Sequence, residues 1–154
     1  MRNRVLIVGG GSAGITVAAL LRRKGISDIA ILEPSETHYY QPAWTLVGGG
    51  VIPREKTARE TGKLIPAGVN WVRDRAKSFD PVAGHVDTEQ SGSLGYDFLV
   101  VAPGLQLDWQ AIPGLEQALA TPHVSSIYSY EGSTKTWEML RGVQQGRAVF
   151  TCPP

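Results

Sequence analysis

Cysteine is almost absent from this chain: Cys152 is the only one in 154 residues. A single thiol closes no internal disulfide and builds no sulfur-ligated cluster, so nothing points to an oxidising compartment and a cytoplasmic setting is expected. Disulfide chemistry needs a second thiol, and Cys152 reads as a small apolar residue at a strand end. Histidine is sparse as well, and His38, His85 and His123 lack metal-ligand spacing, so they are read as structural and no metal is expected. No excess of one charge exists, with 15 Lys plus Arg against 14 Asp plus Glu and no basic run to neutralise a row of phosphates. Nucleic acid is therefore not an expected partner. No window holds the ~20 continuous apolar residues of a membrane helix. Glycines at 9, 10, 11 and 14 interrupt the one stretch that imitates a signal peptide. No serine stands in a G-x-S-x-G elbow and the carboxylates are scattered, so no hydrolase constellation is visible.

Glycine, by contrast, is concentrated near the start. Residues 4–8 form a short branched apolar run, the pattern of a strand buried on both faces. Gly9-x-Gly11-x-x-Gly14 follows, and Ala13, Val17, Leu20 and Leu21 then fall at helical spacing, with Arg22, Arg23 and Lys24 in the last turn and Gly25 as the stop. Residues 28–32 return to an apolar strand ending at Glu33, which completes a βαβ unit. In such a turn Gly9 permits the bend, Gly11 clears the approach of a pyrophosphate to the backbone, and Gly14 lets helix and strand pack closely. The helix aims its free N–H groups at the phosphates, and Glu33 accepts the ribose hydroxyl protons while repelling a 2′-phosphate, which disfavours NADP.

Residues 34–53 are rich in aromatics, glycine and proline, too long and apolar for a plain connection, and read as a cover for the isoalloxazine, with Tyr39, Tyr40 and Trp44 equally readable as core or surface aromatics. A short polar helix is expected over 56–64, and strands over 70–72, 76–79, 85–88 and 96–101, read together as a meander. The last ends in the small-residue turn Ala102-Pro103-Gly104. A plain nicotinamide domain would continue in βα alternation, whereas an inserted meander and a strand returning to the pyrophosphate suit a two-dinucleotide flavoprotein. The fold expected is α/β, a Rossmann-like FAD-binding domain with a parallel central sheet and an inserted β-meander. A helix over 129–141 and a strand over 147–151 follow, and the sequence stops just past them at Cys152-Pro153-Pro154, an end that reads as truncation. The expected division is a FAD-binding domain over 1–110, then over 111–154 a connection and the first strand of a second, truncated Rossmann-like domain.

The blocks VLIVGGGSAGITVAALLRRKG, ILEPSETHYYQPAWTLVGGG, YDFLVVAPGLQLDW, SYEGSTKTWEML and GRAVFTCPP resemble the sulfide:quinone oxidoreductase family, in particular its mitochondrial-like branch. The resemblance implies two Rossmann-like domains with FAD held by the first, sulfide oxidised to sulfane sulfur through redox-active cysteines, and electrons passed to a membrane quinone. Carried over by position, Gly9, Gly11, Ser12, Ala13 and Gly14 would hold the pyrophosphate and Glu33, with Pro34 after it, the ribose. Ala76 would meet the adenine region through its backbone, Gln41 and Pro42 would lie toward the flavin ring, and Ala102, Pro103 and Gly104 would close the cofactor's other side. Pro103 stands where the wider flavoprotein superfamily commonly has threonine, a departure that suits this branch. Cys152 does not match the family's first redox cysteine, so no catalytic residue is expected in this chain. The family's later cysteine and membrane-binding C-terminal helices are missing too. Peripheral contact with an inner membrane is expected only through them. Type II NADH dehydrogenase, or another two-dinucleotide flavoprotein, is the alternative enzyme, and a non-catalytic nucleotide-binding module the alternative outside enzymes.

Overall fold

The structure is a computed structural model and describes residues 1–151. By contact the chain forms two compact units, one of Met1–Tyr40 with Ala58–Leu107, the other of Gln41–Thr57 with the chain from Asp108 onward.

The first unit is built on strand β1 (Arg2–Val8), helix α1 (Ser12–Arg23) and strand β2 (Ile29–Leu32). Leu6, Ile7, Ala30 and Ile31 are completely buried, as the continuous apolar runs of a sheet covered on both faces require. Helix α1 ends in a Schellman motif: Gly25 at φ +77° donates its N–H to Arg22 O, and the N–H of Ile26 goes to Leu21 O. Basic Arg22 and Arg23 in that last turn match the negative end of the helix.

Six strands form one sheet. After β3 (Thr37–Tyr39) and β4 (Ala58–Glu60), which pair antiparallel as a separate ribbon, come β5 (Val69–Val72), β6 (Ala76–Asp80), β7 (His85–Thr88) and β8 (Ser93–Val101). The sheet order is β5-β2-β1-β8-β7-β6. Strands β5, β2, β1 and β8 run parallel, whereas β8-β7 and β7-β6 are antiparallel. The expected meander is therefore β6-β7-β8. The 70–72 strand lies outside it, on the opposite edge, because its Val-x-x-Val run pairs with buried β2.

Strand β8 serves both parts. Ser93–Gly95 pair with β7, and from Gly95 to Val101 the strand pairs with β1. Val86, Leu94 and Tyr96 pack with Leu6, Val8, Ala30 and Leu32, while α1 covers Val5, Ile7, Ile29 and Ile31 through Ala18, Val17 and Leu21. One carboxylate ties the β7–β8 turn to the chain just before β6. Buried Asp74 accepts the N–H of Arg75 (2.7 Å), Gln90 (2.9 Å) and Ser91 (2.6 Å). Burial pushes its pKa up, but these hydrogen bonds outweigh it and hold the carboxyl well below the usual carboxylate range.

The polar helix expected over 56–64 does not form. The segment runs as a 3₁₀ turn (Arg54–Thr57), strand β4 and a second 3₁₀ turn (Thr61–Lys63). Thr57, Thr61 and Gly62 are poor helix formers, and β3 offers a ladder partner.

The second unit contains α2 (Trp44–Gly48), α3 (Leu115–Leu119) and α4 (Tyr130–Gly142). Trp44 belongs to its core, 6.4 Å from the Tyr130 ring, with Nε1 donating to Thr57 Oγ1 at 3.1 Å. Tyr39 and Tyr40, in the first unit, are exposed. Helix α4 starts where expected, capped by Ser129, whose Oγ accepts the N–H of Gly132 at 3.0 Å. The strand expected over 147–151 is absent: no ladder pairs it among the described residues, and Val149 and Phe150 are exposed. An apolar run alone makes no strand without a neighbour for its N–H and C=O groups. Among the described residues no helix is long and apolar enough to cross a membrane.

Candidate functional site

The parallel strands end together, since the register sets Val8 beside Leu32 and Val101, and Leu32 beside Val72. The ladder continues one residue further, with Gly9 N–H to Leu32 O (2.9 Å), Ala102 N–H to Val8 O (2.8 Å) and Glu33 N–H to Val72 O (3.0 Å). The glycine turn, Glu33 and the turn starting at Ala102 are thereby gathered at the carboxyl edge of the sheet, where ligands of open α/β sheets bind.

Each glycine of the turn has a separate cause. Gly9 sits at φ +104°, and a Cβ there would lie 2.1 Å from Ala102 O. At Gly14 a Cβ would lie 1.9 Å from Gly9 O, so helix and strand approach as closely as the spacing predicts. At Gly10 it would meet Glu33 Cγ at 2.6 Å. Gly11 is different: a Cβ there would meet nothing within 4 Å. Its backbone, φ −73° and ψ −174°, suits any residue. Packing within the chain thus accounts for glycine at 9, 10 and 14 but not at 11, where the space in front of the backbone is open.

Gly11 is also the N-cap of α1, and no side chain caps the helix. The first-turn N–H groups, on exposed Ser12 and Ala13 and on Gly14, carry the positive end of a 12-residue helix. Beside them the Glu33 carboxylate accepts one main-chain donor on each oxygen, Gly10 N–H on Oε2 and Ser35 N–H on Oε1, both at 2.7 Å. Each oxygen keeps a further lone pair for hydroxyl donors. Half-buried His38 of β3 has its Nδ1 3.4 Å from Gly10 O. An anion-binding helix start beside a fixed carboxylate can hold a phosphate and a diol together.

The family model described as pyridine nucleotide-disulphide oxidoreductase matches residues 3–140. The chain belongs to that family. Among curated proteins, the mitochondrial sulfide:quinone oxidoreductase of Mus musculus is 42% identical over 150 residues, which cover 97% of this chain and 33% of the relative. That of Dictyostelium discoideum is 42% identical over 153 residues, covering 97% and 34%. The chain thus spans about a third of the length of the curated relatives it matches. The solved sulfide:quinone oxidoreductase of Aquifex aeolicus superposes with a TM-score of 0.70 at 25% identity, over 90% of this chain and 32% of that one. The Rossmann-like α/β fold of this family is the one described above.

The other residues singled out from sequence fall in three places. Pro34 is exposed directly after Glu33, and exposed Pro103 and Gly104, the latter at φ +80°, continue the turn from Ala102. Ala76 opens β6 and packs against the Leu6, Val8 and Leu32 cluster. Gln41 and Pro42 belong to the second unit, where with Thr45, Ile127 and Tyr128 they line a cleft of about 210 Å³. Cys152 lies outside the described residues. Sequence reasoning missed Gly10, Ser35 and His38. Only Gly10 leaves a trace in the sequence, as the middle of three consecutive glycines.

Proposed function

We propose that this chain is the FAD-binding portion of a sulfide:quinone oxidoreductase. The observation that carries the reading is the open space at Gly11: the one glycine of the turn that internal packing does not require faces an uncapped helix start, where a phosphate would sit. Identity of 42% to two sulfide:quinone oxidoreductases across 97% of the chain supports the enzyme chosen over a type II NADH dehydrogenase.

In this reading the N–H groups around Gly9, Gly11, Ser12, Ala13 and Gly14 bind the pyrophosphate. Glu33 takes the ribose hydroxyls, with Pro34 turning the chain away after it. The Ala76 main chain lies by the adenine, Gln41 and Pro42 toward the flavin ring, and Ala102, Pro103 and Gly104 complete the cradle. Bound FAD supplies the two-electron chemistry that links oxidation of sulfide to sulfane sulfur with reduction of a quinone. The thiols that react with sulfide, and peripheral contact with the quinone-bearing membrane, come from the rest of the protein. Residues 1–110 carry the FAD-binding domain, and the chain after them leads into a second Rossmann-like domain.

Titration of the purified chain with FAD, read by visible spectrum and flavin fluorescence, tests the binding. Saturable retention at micromolar concentration is expected, and its absence rejects the reading. Flavin reduction by sulfide in this chain alone is not expected, and turnover with a soluble quinone would contradict the placement of the reacting thiols elsewhere.

A further inference from the structure

Trp71 of β5 has no part in the reading above, yet it is tied to the main chain of Glu33. Its Nε1–H donates to Glu33 O at 2.8 Å. The Arg73 guanidinium lies over the indole, 4.2 Å from the ring centroid, and is held in turn by Glu36 Oε1 at 3.0 Å. Gly62 adjoins the ring so closely that a Cβ there would lie 3.2 Å from Trp71 Cζ3.

The contact compensates for a local break in the ladder. Glu33 N–H is still served by Val72 O, but beyond Val72 the edge strand turns away, with Asp74 N–H folding back onto the same carbonyl at 3.0 Å. A main-chain carbonyl at that point needs another donor, and the indole supplies it. Both peptide groups of Glu33 are then fixed, in addition to both carboxylate oxygens.

We propose that Trp71 is a positioning residue for recognition of the adenosine ribose: by holding the main chain at Glu33 it sets where the carboxylate meets the ribose hydroxyls. It acts through Glu33 and touches no ligand. This inference rests on the dinucleotide reading of the preceding section.

The test is calorimetric titration of the 154-residue chain with ADP and with 2′-deoxy-ADP. The unmodified chain should prefer ADP by about tenfold, the effect of one hydroxyl hydrogen bond to a carboxylate. Trp71→Phe keeps a flat ring under Arg73 and removes the N–H, and should cut the preference to about threefold or less, with ADP binding weakened more than 2′-deoxy-ADP binding. Arg73→Ala, at an exposed site, keeps the donor but frees the ring, and should cut the preference part of the way. Equal weakening of both nucleotides in Trp71→Phe, with the preference intact, would make Trp71 a packing residue only and overturn the proposal. If Trp71→Phe does not fold, Arg73→Ala decides, and an unchanged preference there overturns it. Failure of the unmodified chain to bind ADP overturns the dinucleotide reading and this inference together. An unmodified chain that binds ADP while its variants keep the full preference overturns this inference alone.

Discussion

The Glu33 side chain stands where a side chain at position 10 would have to go, with Glu33 Cβ 2.7 Å and Cγ 2.6 Å from a Cβ built on Gly10, while Oε2 accepts the Gly10 N–H. Residue 10, a variable position of the fingerprint, is in this chain part of the geometry that fixes Glu33, the residue proposed to take the ribose hydroxyls.

Gly10→Ala should therefore displace the carboxylate. The overlap is with Cβ and Cγ, close to the main chain, so it is not relieved by swinging a flexible end. A loss of about 1–3 kcal/mol of stability is expected, with a drop of at least about tenfold in FAD affinity. Denaturant unfolding and flavin titration of the same variant measure the two effects.

Gly11→Ala and Gly14→Ala should separate binding from folding. The first meets open space in an unstrained conformation, so the apo chain should stay within about 1 kcal/mol of the parent, yet FAD affinity should fall about tenfold or more as the new methyl occupies the phosphate approach. The second drives a Cβ onto Gly9 O at 1.9 Å and should cost about 3 kcal/mol or more. Equal loss of stability in the two variants would contradict the assignment of the open space to a ligand.

Asp74 gives the fold an acid-sensitive clamp. Its carboxyl titrates lower in the folded than in the unfolded chain, so its contribution is present above the unfolded value and is lost as pH falls below about 4, through the folded value. Asp74→Asn should lower Tm at neutral pH and flatten the decline of Tm between about pH 4 and 2. Melting curves of both proteins across that range provide the check, and parallel curves would remove Asp74 from the explanation.

Ser129→Ala removes the acceptor that caps α4, leaving Gly132 N–H to water. A loss of about 1 kcal/mol is expected in the second unit. Ser129→Asp, which restores an acceptor and adds charge at the positive helix end, should recover it. Circular dichroism melts distinguish the two.

The βαβ unit was legible because three local signals agree: a branched strand, glycines at fixed spacing, and an acidic residue at the next strand end. The strands over 85–88 and 96–101 were legible as well, the second from its apolar run over 98–101, although β8 begins earlier, at Ser93. What local pattern does not encode is the choice of neighbour. Residues 70–72 read as a meander strand, yet their partner is β2, chosen because the buried Ile29–Leu32 edge is open on that side. Residues 58–60 are helical by polarity but become a strand because Thr37–Tyr39 lies opposite. At the candidate site, Gly9, Gly11, Gly14 and Glu33 stand out in the sequence by their spacing and Gly10 only as the middle of three glycines, whereas Ser35 and Trp71 act through main-chain geometry that no residue type signals. Equally, nothing in the order of residues shows that 41–57 packs with the chain after 108.

Strand β8 sets a timetable for the site. Gly9 takes its left-handed bend against Ala102 O, and the carboxyl end of β1 is flanked on one side by β8. During synthesis the glycine turn leaves the ribosome first but lacks one wall until residues 93–102 follow and add β8 to β1. A nascent chain cut short before Ala102 would display the fingerprint without β8 beside it, so in the reading proposed above the cradle for the cofactor waits on the meander.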